Sequence, residues 1–194
     1  MMSMHHPPIP SARRALSPGT ARGFTAIELM VVVAIVAILA TLAAPSFTPI
    51  LERWRVRQAT EGFQSTYFFA RSEAIKRGGY TVIQKLPNDT NGCTTANGDA
   101  KWGCGWFVCE DVANDGSCDA TDPILQRFDT PARMEVARST NSATIRLDRW
   151  GMVSGSFVGI SFAPQGKSSD TTVAKTICIS SGGRLKTVSG TSCS

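Results

Sequence analysis

The chain has 194 residues, 20 basic and 15 acidic side chains for a formal charge of +5, and only two histidines. That is enough for one domain of ordinary size and an additional segment. Arg13, Arg14 and Arg22 precede every acid, which leaves 17 basic against 15 acidic groups from Phe24 onward, so the charge does not by itself make a polyanion-binding protein. His5 and His6 stand at the start, and beyond them no Ser-His-Asp or Cys-His pair and no histidine metal site can be assembled. No Gly-rich phosphate loop opens a helix, and Ser154 is off-centre in Gly151-Met152-Val153-Ser154-Gly155 for a nucleophile elbow. The residues point away from an enzyme: no catalytic residue, metal site or cofactor is assigned.

Ile27 to Ala44 form an 18-residue run whose single charge is Glu28. As a helix this run is just long enough to span a bilayer core of about 30 Å. Basic residues lead up to Arg22-Gly23, and Phe24-Thr25-Ala26-Ile27-Glu28-Leu29 then runs straight into the apolar stretch. A secretory signal would place its cleavage site on the far side of the apolar stretch. This order instead resembles the type IV prepilin signature. The resemblance implies that a prepilin peptidase cuts after Gly23 on the cytoplasmic side, that residues 1–23 are a leader, and that the new terminus Phe24 is N-methylated. It also implies that the helix stays on the mature protein, and that Glu28 neutralises a neighbouring subunit's N-terminus during assembly. Physical chemistry agrees, because an unpaired carboxylate at the bilayer edge costs a few kcal/mol and the Phe24 amine would lie one helical turn away. The arginines before the helix place the leader in the cytoplasm and the remainder outside, by the positive-inside rule.

Beyond the apolar run, Pro45 and Pro49 predict a kink, since each lacks a backbone donor. Leu51, Trp54, Phe63, Tyr67, Ala70 and Ala74 then recur mostly at three- and four-residue intervals, and Gly78-Gly79 is a stop signal. The pattern predicts one helix over 24–77, membrane-spanning over about 27–44, whose second half packs on a sheet. From 78 to 194, short apolar or alternating runs predict antiparallel strands at Thr81–Leu86, Gly105–Glu110, Ile124–Phe128, Met134–Arg138, Ala143–Asp148, Phe157–Phe162, Thr176–Ile179 and Arg184–Val188. The class is α+β, and the resemblance implies the type IV pilin fold.

Within this region Gly105-Trp106-Phe107-Val108, an Asn/Asp/Gly turn and Pro123-Ile124-Leu125-Gln126-Arg127 resemble the central hairpin of the GspH/FimT family of minor pilins and pseudopilins. Asp111, Asp115, Gly116 and Asp122 of the turn fall at places of a calcium loop, but Ala113 occupies a ligand place. The favoured reading is a polar turn whose Asx side chains cap backbone donors. The six cysteines all follow the apolar run and lack the short Cys-x-x-Cys spacing of zinc sites. An even count in an exported domain indicates disulfides, with local pairing giving Cys178–Cys193, Cys109–Cys118 and Cys93–Cys104.

After Arg149 the chain holds Lys167, Lys175, Arg184 and Lys186 against Asp170 alone. Gly183-Arg184-Leu185-Lys186 is similar to a Gly-Arg-x-Arg element that FimT-like minor pilins carry for DNA binding, with lysine keeping the last charge and losing the planar fork. Arg184 and Lys186 share one face of a predicted strand and, with Lys175 or Lys167, would meet phosphates of double-stranded DNA without sequence preference. The competing reading is that these charges are solvated on an edge strand and discourage aggregation. Two family functions follow from the resemblance. One is a minor type IV pilin, held in the inner membrane with its C-terminal domain periplasmic and then carried to the pilus surface, with other pilins as partners. The alternative is a GspH-like pseudopilin of a type II secretion system.

Overall fold

The computed structural model describes residues 23–43, 47–168, 170 and 172–193, in two units that divide between Pro45 and Ser46. The first unit holds helix α1 (Ala26–Ala43). Its start is set by Thr25, whose Oγ1 accepts the Glu28 N–H at 3.3 Å; Thr25-x-x-Glu28 is the sequence of a capping box. Ile27, Met30, Val31, Ile35 and Ile38 are all exposed, so within the unit nothing covers the apolar surface around the helix. Among the described residues no helix is long and apolar enough to cross a membrane. α1 rises about 27 Å over its described length, slightly less than a bilayer core of about 30 Å.

The second unit opens with helix α2 (Thr48–Arg77). Residues 44–46, and with them the kink expected at Pro45, lie outside the described residues. Pro49 does not kink a helix. It sits in the first turn of α2, where the missing N–H has no intrahelical acceptor to lose. α2 stops at Gly78, which takes the left-handed conformation (φ 75°), and the Gly79 N–H closes onto the Ala74 carbonyl at 2.8 Å.

The buried stripe of α2 is Val56, Ala59, Thr60, Phe63, Thr66, Tyr67, Ala70 and Ala74. The expected stripe holds from Phe63 onward and fails before it: Leu51 and Trp54 are exposed. Stepping back from Phe63 by three and four reaches Ala59, Thr60 and Val56, and Trp54 lies about 200° round the helix from Val56.

The strands are β1 (Thr81–Lys85), β2 (Gly105–Glu110), β3 (Ile124–Asp129), β4 (Met134–Arg138), β5 (Thr144–Leu147), β6 (Val158–Pro164), β7 (Lys175–Ile179) and β8 (Leu185–Ser189). They form two antiparallel sheets rather than one, in the orders β3-β2-β1-β5 and β4-β6-β7-β8. The chain leaves the first sheet at β4 and returns to it at β5 before completing the second. α2 lies against both sheets, and one core joins Phe63 and Tyr67 to Ile83, Trp106, Val136, Ile145, Phe162, Ile177 and Ile179. Trp106 is its centre: edge-on to Phe63 with centroids 5.1 Å apart, stacked on Phe128 at 4.8 Å, and donating its indole N–H to Thr66 Oγ1 at 3.0 Å. Gly62 of α2 admits the Phe128 ring, since a Cβ there would stand 2.3 Å from it. The sulfurs pair locally, as Cys93–Cys104, Cys109–Cys118 and Cys178–Cys193.

Candidate functional site

Three segments carry the candidate chemistry: the start of α1, the loop between β2 and β3, and the hairpin of β7 and β8. At the first, Gly23 and Phe24 precede the Thr25 cap, and Phe24 is 83% exposed. An added Cβ on Gly23 meets nothing within 4 Å. Glu28 is exposed on the first turn of α1. The Thr25-Glu28 capping relation was legible in the sequence and adds a local reason for an acid at this place, beside any role in pairing with a neighbour's amine.

The β2–β3 loop is held by its carboxylates. Buried Asp111 accepts the Asp115 N–H at 3.0 Å and the Gly116 N–H at 2.8 Å, while Asp122 accepts the N–H groups of Val112 at 3.0 Å and Asp119 at 2.9 Å. Asp115 and Asp119 make the same kind of bond to Ser117 and Thr121, whose hydroxyl and backbone donors hold both carboxyls below the usual carboxylate range. The turn is thus built by Asx capping. Among the described residues, no group of three His, Cys, Asp or Glu side chains is arranged to hold a metal ion.

The segment after β8 is pinned back onto β7 by Cys178–Cys193, and the turn of the β7–β8 hairpin is fixed by α2. The turn glycine, Gly183, has φ 79°, a conformation that L side chains rarely adopt. Its carbonyl accepts the Tyr67 hydroxyl at 3.1 Å and the Arg71 guanidinium at 3.3 Å. Burial pushes the Tyr67 phenol above its ordinary value, with the Arg71 charge opposing, so the hydroxyl stays a neutral donor. The Ser180 N–H donates to the Arg184 carbonyl at 3.0 Å, and Gln64 Nε2 donates to Thr187 Oγ1 at 2.7 Å, tying β8 to the helix.

Arg184 lies one residue before β8, exposed, and Lys186 pairs in register with Cys178. Their separation of two places them on the same face of the sheet, the face away from Ile177 and Ile179. Lys175 pairs with Ser189 and belongs by parity to the opposite, core-side face. Lys167 is elsewhere: its Nζ is 2.8 Å from both oxygens of Glu52, about 28 Å of helix from Arg71. The fold therefore brings Arg184 and Lys186 together and leaves Lys175 and Lys167 apart from them. Arg71 and Tyr67, which position the turn, carried no signal as such, because what they recognise is a backbone carbonyl.

A helix packed on antiparallel sheets and stapled by disulfides, with an apolar helical segment preceding it, defines the class of type IV pilin-like subunits. The profile of the family described as Type II transport protein GspH matches residues 59–191, and the chain belongs to that family. Two Pseudomonas aeruginosa sequences called fimbrial protein are each 41% identical over 69 residues, 36% of this chain; the match spans 44% of their length. Two crystal structures of the Pseudomonas aeruginosa type IV minor pilin FimU share the fold at 19% identity. One has a TM-score of 0.51 over 68% of this chain and 91% of that one, the other 0.54 over 72% and 97%. The chain is a minor pilin or pseudopilin of the GspH/FimT family.

Proposed function

We propose that the chain is a minor pilin that enters a type IV pilus, not a pseudopilin of a secretion system. It waits in the inner membrane through α1 with its domain in the periplasm, is processed after Gly23, and joins other pilins through the helix and Glu28. The observation that carries assembly into a filament is α1: a helix exposed on every side, opened by a Thr25 cap and bearing one acid, which needs lipid or neighbouring helices to cover it, a need that pilus and pseudopilus subunits share. The fimbrial relatives support the pilus over the secretion pseudopilus, although the matching family is described as a type II transport protein. The mature chain should appear in sheared pili and vanish from that fraction when the major pilin is deleted. Normal pili without it, together with lost protein export on its deletion, would select the pseudopilin alternative.

The finer part of the proposal is that the β7–β8 turn binds double-stranded DNA through phosphates, without sequence preference. The turn is rigid because Tyr67 and Arg71 hold it, so Arg184 and Lys186 are presented without a loop to order on binding. The full chain in detergent should bind with micromolar affinity or weaker, and with a log–log salt slope of about −2 to −4 for two to four phosphate contacts. The double change Arg184→Gln and Lys186→Gln should weaken binding and flatten the slope by about two units. Equal binding by parent and variant, or none by either, removes the DNA function and leaves the structural role.

A further inference from the structure

The turn from Asp148 to Met152 lies directly against the turn that carries Arg184. A Cβ on Gly183 would stand 3.4 Å from the Gly151 carbonyl oxygen and 3.5 Å from Arg71 Cζ, and one on Gly151 would stand 2.5 Å from Arg71 Cγ. Arg71 is therefore wedged between the two turns. Trp150 and Arg184 each lie one residue from this contact, so their Cα atoms are within about 15 Å of each other at 3.8 Å per residue. The Asp148 turn is fixed, because Asp148 Oδ1 accepts the N–H groups of Trp150 and Met152, each at 2.9 Å.

What this turn displays has no role in the fold. Trp150 is 63% exposed, whereas Trp102 and Trp106 are fully buried, and the Arg149 guanidinium lies 5.5 Å from its ring centroid. A tryptophan held against Arg149, on a turn that touches the one carrying Arg184, combines a flat apolar face with positive charge from two chain segments. Asp148, the acid in the turn, is committed to backbone donors. Phosphates complement the charge and a base complements the ring; in duplex DNA the bases are already stacked on one another, so the ring is used only by an unpaired base.

We infer that these two turns form one binding surface for single-stranded nucleic acid, on which Trp150 stacks a base while Arg149 and Arg184 take the phosphates on either side. This rests on the nucleic-acid reading of the Arg184 turn and deepens it: the surface prefers a single strand, or a strand end opened from a duplex, to the duplex interior. A lipid surface is the competing occupant of an exposed tryptophan among arginines, and the charge-paired ring geometry favours the strand.

The test uses the full chain in detergent, with a 20-nucleotide oligo-dT and a duplex of equal length as probes. Oligo-dT should quench tryptophan emission, and Trp150→Ala should remove most of that quench, Trp54 being the other exposed tryptophan, and lower oligo-dT affinity about 5- to 150-fold, the range for one stacked base. Duplex affinity should change by less than about twofold, Trp150→Phe should retain most of the oligo-dT affinity, and the melting temperature should stay at that of the parent because the ring is outside the core. The Arg184→Gln and Lys186→Gln variant should lose affinity for both probes. If that variant loses duplex binding while Trp150→Ala binds oligo-dT like the parent, the stacking surface is overturned and the duplex reading survives. Failure of the parent to bind either probe removes both. A Trp150-dependent emission change with anionic vesicles and none with oligo-dT makes the surface a membrane contact and overturns the inference.

Discussion

Trp106→Ala should cost the domain about 3–5 kcal/mol, a large part of the 5–15 kcal/mol that holds a typical domain together. The side chain is fully buried where α2 meets the first sheet, and it does three things at once. It fills the space between Phe63, Phe128 and Phe162, with centroids 5.1, 4.8 and 6.2 Å away; it covers the site where Gly62 admits Phe128; and it donates to Thr66 Oγ1. Alanine leaves a cavity that the surrounding rings, braced by a disulfide on the same strand at Cys109, have little freedom to close. Trp106→Phe separates the contributions. Thr66 Oγ1 already donates to the Gly62 carbonyl at 3.0 Å, so losing the indole removes an acceptor's partner but strands no buried donor. That variant should lose only about 1–2 kcal/mol. Guanidinium denaturation of the oxidised chain, followed by circular dichroism, measures both; a Trp106→Ala midpoint equal to the parent's would mean that this packing does not organise the core.

The same residue shows what a sequence can and cannot reveal. Trp106 announces a strand by its neighbours Gly105, Phe107 and Val108, and the eight strands fall close to where alternation and turn residues put them. Strand alternation reports which residues share a face, but it does not report which sheet the strand enters, so the division into two sheets was not legible. The α2 stripe was readable where large side chains mark it, at Phe63 and Tyr67. It is not marked where Ala59 and Thr60 face the core and the larger Leu51 and Trp54 face out, because side-chain size does not report helical phase. Lys85 is a third kind of case: its ammonium folds the following loop by donating to the carbonyls of Ala96, Gly98 and Lys101. Backbone acceptors have no residue type, and for the same reason the hold of Tyr67 and Arg71 on Gly183 had no signature. The disulfides were legible because each bridges neighbouring segments, 9 to 15 residues apart.

Gly23→Val should block removal of residues 1–23 and leave a single larger band on a denaturing gel. The substitution is informative because the fold has no stake in it: a Cβ at Gly23 meets nothing within 4 Å, and the residue precedes the cap of α1. A retained leader therefore reports the peptidase's demand for a small residue at the cut and not a misfolded substrate, which an unchanged melting temperature of the domain confirms independently. Normal processing of the variant would sink the cleavage assignment. Glu28→Gln then isolates the next step. Glutamine serves a capping box as glutamate does, so the start of α1 is kept while the charge is removed. If Glu28 acts by neutralising the amine that cleavage creates on a neighbour's Phe24, this variant should be processed at the normal rate, accumulate in the inner membrane and be absent from sheared pili. An amine left unpaired among apolar helices costs several kcal/mol, enough to lower incorporation more than a hundredfold. Incorporation of Glu28→Gln at the parent's level would leave the acid with only its local place on the first turn of the helix.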